Sequence, residues 1–200
     1  MTKRTKEKIM TAAIELFNVN GTGEVSTNHI AKEIGISPGN LYYHFKNKEE
    51  IIRAIFDQMV ADYNAIWSWA NDKNEFSFDD IRTILKKSFE LEWQYRFFYR
   101  ELIVLMKNDP ELKMMHKHVQ QHRIKQQSQL LHRFVEMGVL KGDRIEDHFD
   151  SLLKISWIIS NYWLSFLESS GVEKVTEEML EEGIDLIMMN FKPYFSIEEE

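Results

Sequence analysis

Asn40, Tyr42, Tyr43 and Lys48 are the residues whose types and spacing suggest chemistry, and that chemistry is recognition. A carboxamide can pair with an adenine edge or bond a phosphate oxygen, and tyrosine hydroxyls reach phosphates in the same way. A lysine adds a point charge. All four lie in Ser26 to Lys48, STNHIAKEIGISPGNLYYHFKNK. If Leu41 and Phe45, four residues apart, face a core, then at about 100° per residue Gly39 and Tyr43 lie opposite them, with Asn40 and Tyr42 on the flanks. Glycine is about 1 kcal/mol worse than alanine inside a helix. Its place at 39 therefore suits close approach by a partner, unless Pro38-Gly39 is simply a turn.

The elements that must hold these groups follow from local signals. Ser26 is suited to cap a helix whose apolar face is Ile30, Ala31 and Ile34, and Gly35 suits the left-handed residue that closes it. Ile36 then enters a small core. Ser37 can cap a second helix with Pro38 at its first position, where the missing N–H is harmless. Upstream, Ile9, Ala12, Ala13, Leu16 and Phe17 give another apolar helical face, ended by Gly21. Downstream, Asn47 with Glu50 reads as a capping pair opening a helix from about Lys48 to Ala70, with Ile51, Ile52, Ile55, Phe56, Met59 and Tyr63 on its buried side. Asn71 to Ser77 is the clearest break. Further helices are predicted at about 78–92, 94–108, 110–137, 144–170 and 176–191. No strand pattern is evident, so the expected fold is all-α: a three-helix helix-turn-helix head over 1–47 and a larger helical domain over 48–200.

Ile30-Ala31, Gly35-Ile36-Ser37, Leu41-Tyr42 and His44-Phe45 to Lys48-Glu49 resemble the DNA-binding head of the TetR family of bacterial regulators. At motif level the resemblance covers about a quarter of the chain; the remainder agrees in length and helical character. It implies DNA contacts from Thr27, Asn28, Pro38, Gly39, Asn40, Tyr42, Tyr43 and His44, and a phosphate contact from Lys48. Asn28 stands where many relatives carry arginine, which removes a bidentate guanine contact and alters the expected reading of the site. His44 projects nearer the core, where packing and phosphate bonding suit it as well as a base contact. The resemblance further implies a repressor on a palindromic double-stranded DNA operator, released by a small apolar or amphipathic effector of unknown identity. The alternative is a helical dimer that binds small molecules or protein, or senses a metal, without such an operator.

Charge is unevenly spread. The net charge is −7, yet residues 1–48 carry seven basic and four acidic groups, an excess of +3 that leaves −10 for the rest. A basic head would turn toward phosphate while an acidic body is repelled, and affinity would depend on salt. The absence of cysteine removes disulfides, thiolate chemistry and cysteine-ligated zinc. Ile155 to Leu167, the longest mostly apolar run, is too short to span a bilayer, and the charged N-terminus lacks a signal-peptide core, so a cytoplasmic protein is expected. Neither a phosphate-binding glycine loop nor a GxSxG elbow is present. No enzymatic activity and no cofactor are expected.

Within 48–200, Trp67, Phe89, Trp93, Phe97, Met106 and Met115 are large, soft groups of the kind that line apolar pockets; the pocket expectation rests mainly on the family resemblance. The segment 149–167 carries two apolar stripes, and two faces need two partners. Ile155, Ile159, Tyr162, Trp163 and Phe166, with Ile184 and Ile187 of the last helix, are the expected contacts of a homodimer built as a four-helix bundle; a thicker monomer core is the other outcome. His118 and His122, four apart, share a helical face and could hold a metal if His116 or a carboxylate completed the set. The polar run Lys113 to Ser128 around them reads instead as a solvated face.

Overall fold

The computed structural model describes residues 2–71 and 77–196, so most of the break expected at 71–77 lies outside the described residues. The chain forms two compact units, one of Met1–Ala65 with Leu91–Met114 and one of Ile66–Glu90 with Met115–Glu200. Among the described residues the regular structure is helical, with one isolated bridge between Leu140 and Phe195.

In the first unit, α1 (Thr2–Glu24) buries Ile9, Ala13 and Phe17 completely. Gly21 leaves helical geometry at φ 77°, a conformation that L side chains resist, and a Cβ there would also lie 3.1 Å from the Glu101 carboxylate. That carboxylate accepts from the Thr22 N–H at 2.9 Å and from the Thr22 hydroxyl. α2 (Thr27–Glu33) opens with a reciprocal capping box: Ser26 Oγ accepts from the His29 N–H, and His29 Nδ1 accepts from the Ser26 N–H, both at 3.3 Å. Gly35 closes the turn at φ 67°. α3 (Pro38–His44) begins with the Ser37 hydroxyl accepting from the Asn40 N–H at 3.2 Å.

α4 (Lys48–Asn71) starts as its sequence signals: Asn47 Oδ1 accepts from the Glu50 N–H, and the Glu50 carboxylate accepts from the Lys46 N–H, each at 2.8 Å. Its inner face buries Ile51, Ile52, Ile55, Phe56 and Met59. α5 (Phe78–Gln94) leads into α6 (Arg96–Asn108), whose start is held by a residue far away in sequence. The buried Asn18 accepts from the Phe97 N–H at 3.0 Å and donates to the Gln94 carbonyl at 2.8 Å. Asp109 does the same for α7 (Pro110–Glu136): one oxygen accepts from the Glu111 and Leu112 N–H groups, and the other pairs with Arg53 of α4 at 2.6 Å. Glu92 is buried beside Tyr63, which hydrogen-bonds it, and the Tyr63 and Tyr99 hydroxyls are 2.9 Å apart. Desolvation pushes the Glu92 carboxyl well above its ordinary range.

In the second unit, Ile84, Leu131, Phe134, Leu140, Ile145, Phe149, Leu152, Leu153 and Phe195 form one core cluster. The helix predicted at 144–170 is divided into α8 (Gly142–Ile145), a 3₁₀ turn over Glu146–His148, and α9 (Phe149–Ser169). The division falls where adjacent rings take different partners, His148 against Tyr194 and Phe149 against His132. α10 (Glu177–Phe191), capped by Thr176, packs closely on α9. A Cβ on Gly183 would collide with the Trp163 indole, whose Nε1–H donates to the Met179 carbonyl at 2.8 Å. Arg82 of α5 fastens α10 through Glu181 at 2.5 Å and Asp185 at 2.8 Å.

Candidate functional site

α3 presents its outer face as the angular count requires. Leu41 is fully buried and Phe45 nearly so, while Tyr42 and Tyr43 are 52% and 77% exposed. Pro38, Gly39 and Asn40 are exposed, as is Asn28 at the start of α2; Thr27, His44 and Lys48 are partly covered. The His44 ring meets the Tyr43 ring edge-on at 5.2 Å, and the Lys48 ammonium donates to the Thr22 carbonyl at the end of α1. Gly39 has helical rather than positive φ, and a Cβ there would meet only the Ser37 hydroxyl at 4.0 Å. The described chain gives no steric reason for glycine at 39. Two short capped helices thus present exposed carboxamide and phenol groups, an arrangement able to hydrogen-bond base edges and phosphates.

The second unit contains a cavity of about 90 Å³, with walls that include Trp67 of α4, Leu85 of α5, Phe134 of α7, Leu153 of α9 and Ile187 of α10. Trp67 is the member of the expected pocket set that stands in this wall. Phe89 is buried near Gly183, and Phe97 is buried in the first unit against Phe17. Trp93 lies under the Arg96 guanidinium, 4.5 Å from ring centre, and Met106 and Met115 are partly buried. The wall also includes Gln127 and Ser156, which sequence reasoning missed as candidate pocket residues. Gln127 sits in the run read as a solvated face. That run is not wholly solvated, since Arg123 within it is 6% exposed.

The two stripes of α9 divide by exposure. Ile155, Ile158, Tyr162 and Phe166 form an apolar row that is 41–63% exposed, with Ile159 partly covered beside it. Trp163, Ile184 and Ile187 are buried within the unit. His118 and His122 are exposed, whereas His116 is partly buried and desolvation holds its imidazole below the ordinary histidine range. Among the described residues no three histidine or acidic side chains are grouped to hold a metal ion, and no helix is long and apolar enough to cross a membrane.

A helix-turn-helix together with a helical unit that holds an apolar cavity points to a class of bacterial DNA-binding regulators, and the comparisons with known proteins place the chain within it. The profile described as "Bacterial regulatory proteins, tetR family" matches residues 9–55, and the TetR profile described as "Bacterial transcriptional repressor" matches residues 58–200. The chain belongs to the TetR family. It is 46% identical over 54 residues to the transcriptional regulator UidR of Escherichia coli K12, a match covering 27% of this chain and 28% of UidR. It is 33% identical over 110 residues to IcaR, negative regulator of the biofilm operon icaADBC in Staphylococcus aureus Newman, covering 53% of this chain and 55% of IcaR. These matches therefore span about a quarter and about half of the two relatives. A TetR-family regulator from Marinobacter aquaeolei VT8 superposes with a TM-score of 0.85 at 29% identity, covering 96% of this chain and 91% of that one.

Proposed function

We propose that the protein is a homodimeric repressor that binds a palindromic operator and leaves it when a small, mainly apolar molecule enters the second unit. The observation that carries this reading is the outward face of α3, where Asn40, Tyr42 and Tyr43 are exposed on a helix whose other side is locked by Leu41. Thr27, Asn28, Pro38, Gly39 and His44 complete the DNA surface. Lys48 adds a phosphate contact. Residues 1–47 act as the reading head and 48–200 as the ligand-binding and dimerisation domain, and the protein works by binding rather than catalysis.

The exposed row Ile155, Ile158, Tyr162 and Phe166 supports the dimer, because an apolar helix face of this kind is ordinarily covered by a partner. A two-fold axis sets two α3 helices on half-sites about 34–36 Å apart, or slightly more. α4 begins at Lys48 and carries Trp67 in the cavity wall, which makes it the helix through which occupancy would alter the heads. An effector acts only through a preference for one arrangement over another.

The test is selection of bound fragments from the source genome by purified protein at near-physiological salt, with Tyr43→Ala run in parallel. Enrichment of a palindromic site that is lost in the variant is expected. Equal recovery of random fragments by both proteins would overturn the reading.

A further inference from the structure

We propose that the second-unit cavity selects a small uncharged molecule bearing a hydroxyl, held between Gln127 and Ser156; the proposal rests on the reading of this unit as an effector-binding body. Gln127 Oε1 and Ser156 Oγ are buried and have no hydrogen-bond partner among the described residues. Both side chains stand in the wall of the same cavity, Gln127 from α7 and Ser156 from α9. A buried polar atom without a partner is costly, and two on one otherwise apolar wall mark where a ligand's polar group would be received.

The rest of the wall sets the ligand's class. Among the described residues it contains no charged side chain, so a carboxylate or ammonium would lose its water without gaining a counter-charge. A wholly apolar molecule would fill the space and leave both polar atoms unmet. A hydroxyl donates and accepts at once, so it can donate to Gln127 Oε1 while accepting from the Ser156 hydroxyl. It would suit the amide in either orientation. The volume of about 90 Å³ is several times the roughly 10–15 Å³ needed for one water, which suits a short chain or a single ring rather than a long lipid.

The test titrates the full chain, without DNA, with two sets of probes by calorimetry. One set is 4-methylphenol, toluene and 4-methylbenzoate; the other is 1-hexanol and hexanoate. We expect at least one hydroxyl compound to bind, toluene to bind about tenfold more weakly than 4-methylphenol, and the carboxylates to fail. Ser156→Ala and Gln127→Met, which keep the wall apolar and nearly the same size, should reduce the hydroxyl preference while leaving toluene affinity unchanged. Failure of both hydroxyl probes, carboxylate binding equal to theirs, or an unchanged hydroxyl preference in both variants would overturn the proposal. Release from the selected DNA site is measured separately. Hydroxyl-selective binding that leaves the DNA complex intact would sustain the ligand class and remove the effector reading.

Discussion

At the scale of single residues, the proposed DNA face can be divided by experiment into groups that specify and groups that only attract. Tyr43 is exposed and supported by the His44 ring; if it meets a base edge rather than a phosphate, Tyr43→Ala should weaken binding to the selected site by about 1–3 kcal/mol while leaving random DNA nearly unaffected. Lys48→Gln should weaken binding to all sequences and lower the salt slope by about one. Fluorescence anisotropy across a salt series distinguishes the two, and equal losses from both would reject these roles. Glu92 gives a prediction about stability. Its folded pKa lies above the ordinary 4.5, so the folded state holds the proton more tightly than the unfolded state does. The stability contributed by that protonation is present below about pH 4.5 and is lost as pH rises through the raised value. Glu92→Gln should therefore match the parent near pH 4 and exceed it at pH 8 in urea denaturation. A constant offset between the two proteins at every pH would refute this.

At the scale of elements, the helix ends show what a sequence can reveal. Asp109 caps α7 and pairs with Arg53, and its side chain is 8% exposed. Asp109→Ala should remove the cap and leave the partly buried Arg53 guanidinium with only its longer pair to the Glu111 carboxylate at 3.4 Å, costing about 1–3 kcal/mol in thermal or denaturant unfolding. A loss below about 0.5 kcal/mol would place Asp109 among ordinary surface residues. The caps at Ser26, Ser37 and Asn47 are legible because donor and acceptor lie within three residues of each other. Asn18 reaches Phe97 across 79 positions, and no local pattern announces such a contact. The division at 145–148 was illegible as well, since it lies beside ring contacts that exist only in the fold and no local signal marks it. Gln127 was hidden by polar neighbours. Periodicity assigned its stretch to solvent, whereas the cavity position is visible only once α7 faces α9 and α10.

At the scale of the whole molecule, the proposed two-fold assembly ties DNA recognition to an apolar face remote in sequence from the head. Tyr162 is 60% exposed and belongs to that face, so placing a charge there should leave the monomer folded while opposing association. Tyr162→Glu should sediment as a monomer with helical circular dichroism unchanged, and operator affinity should fall at least tenfold because two linked half-site contacts become one. A dimer of undiminished strength would show that another face joins the subunits. The seam between α9 and α10 has a different consequence. Gly183 lies so close to the Trp163 indole that even a methyl group cannot enter, so the spacing of these two cavity-wall helices is set by the seating of the indole against the Gly183 backbone. If the cavity takes the proposed effector, adaptation to a new inducer would proceed by exchanging side chains on that frame, at Gln127, Ser156 or Met188, rather than by spreading the helices. A library randomised at those three positions should yield altered inducer preference, and one randomised at Gly183 should yield chiefly misfolded chains.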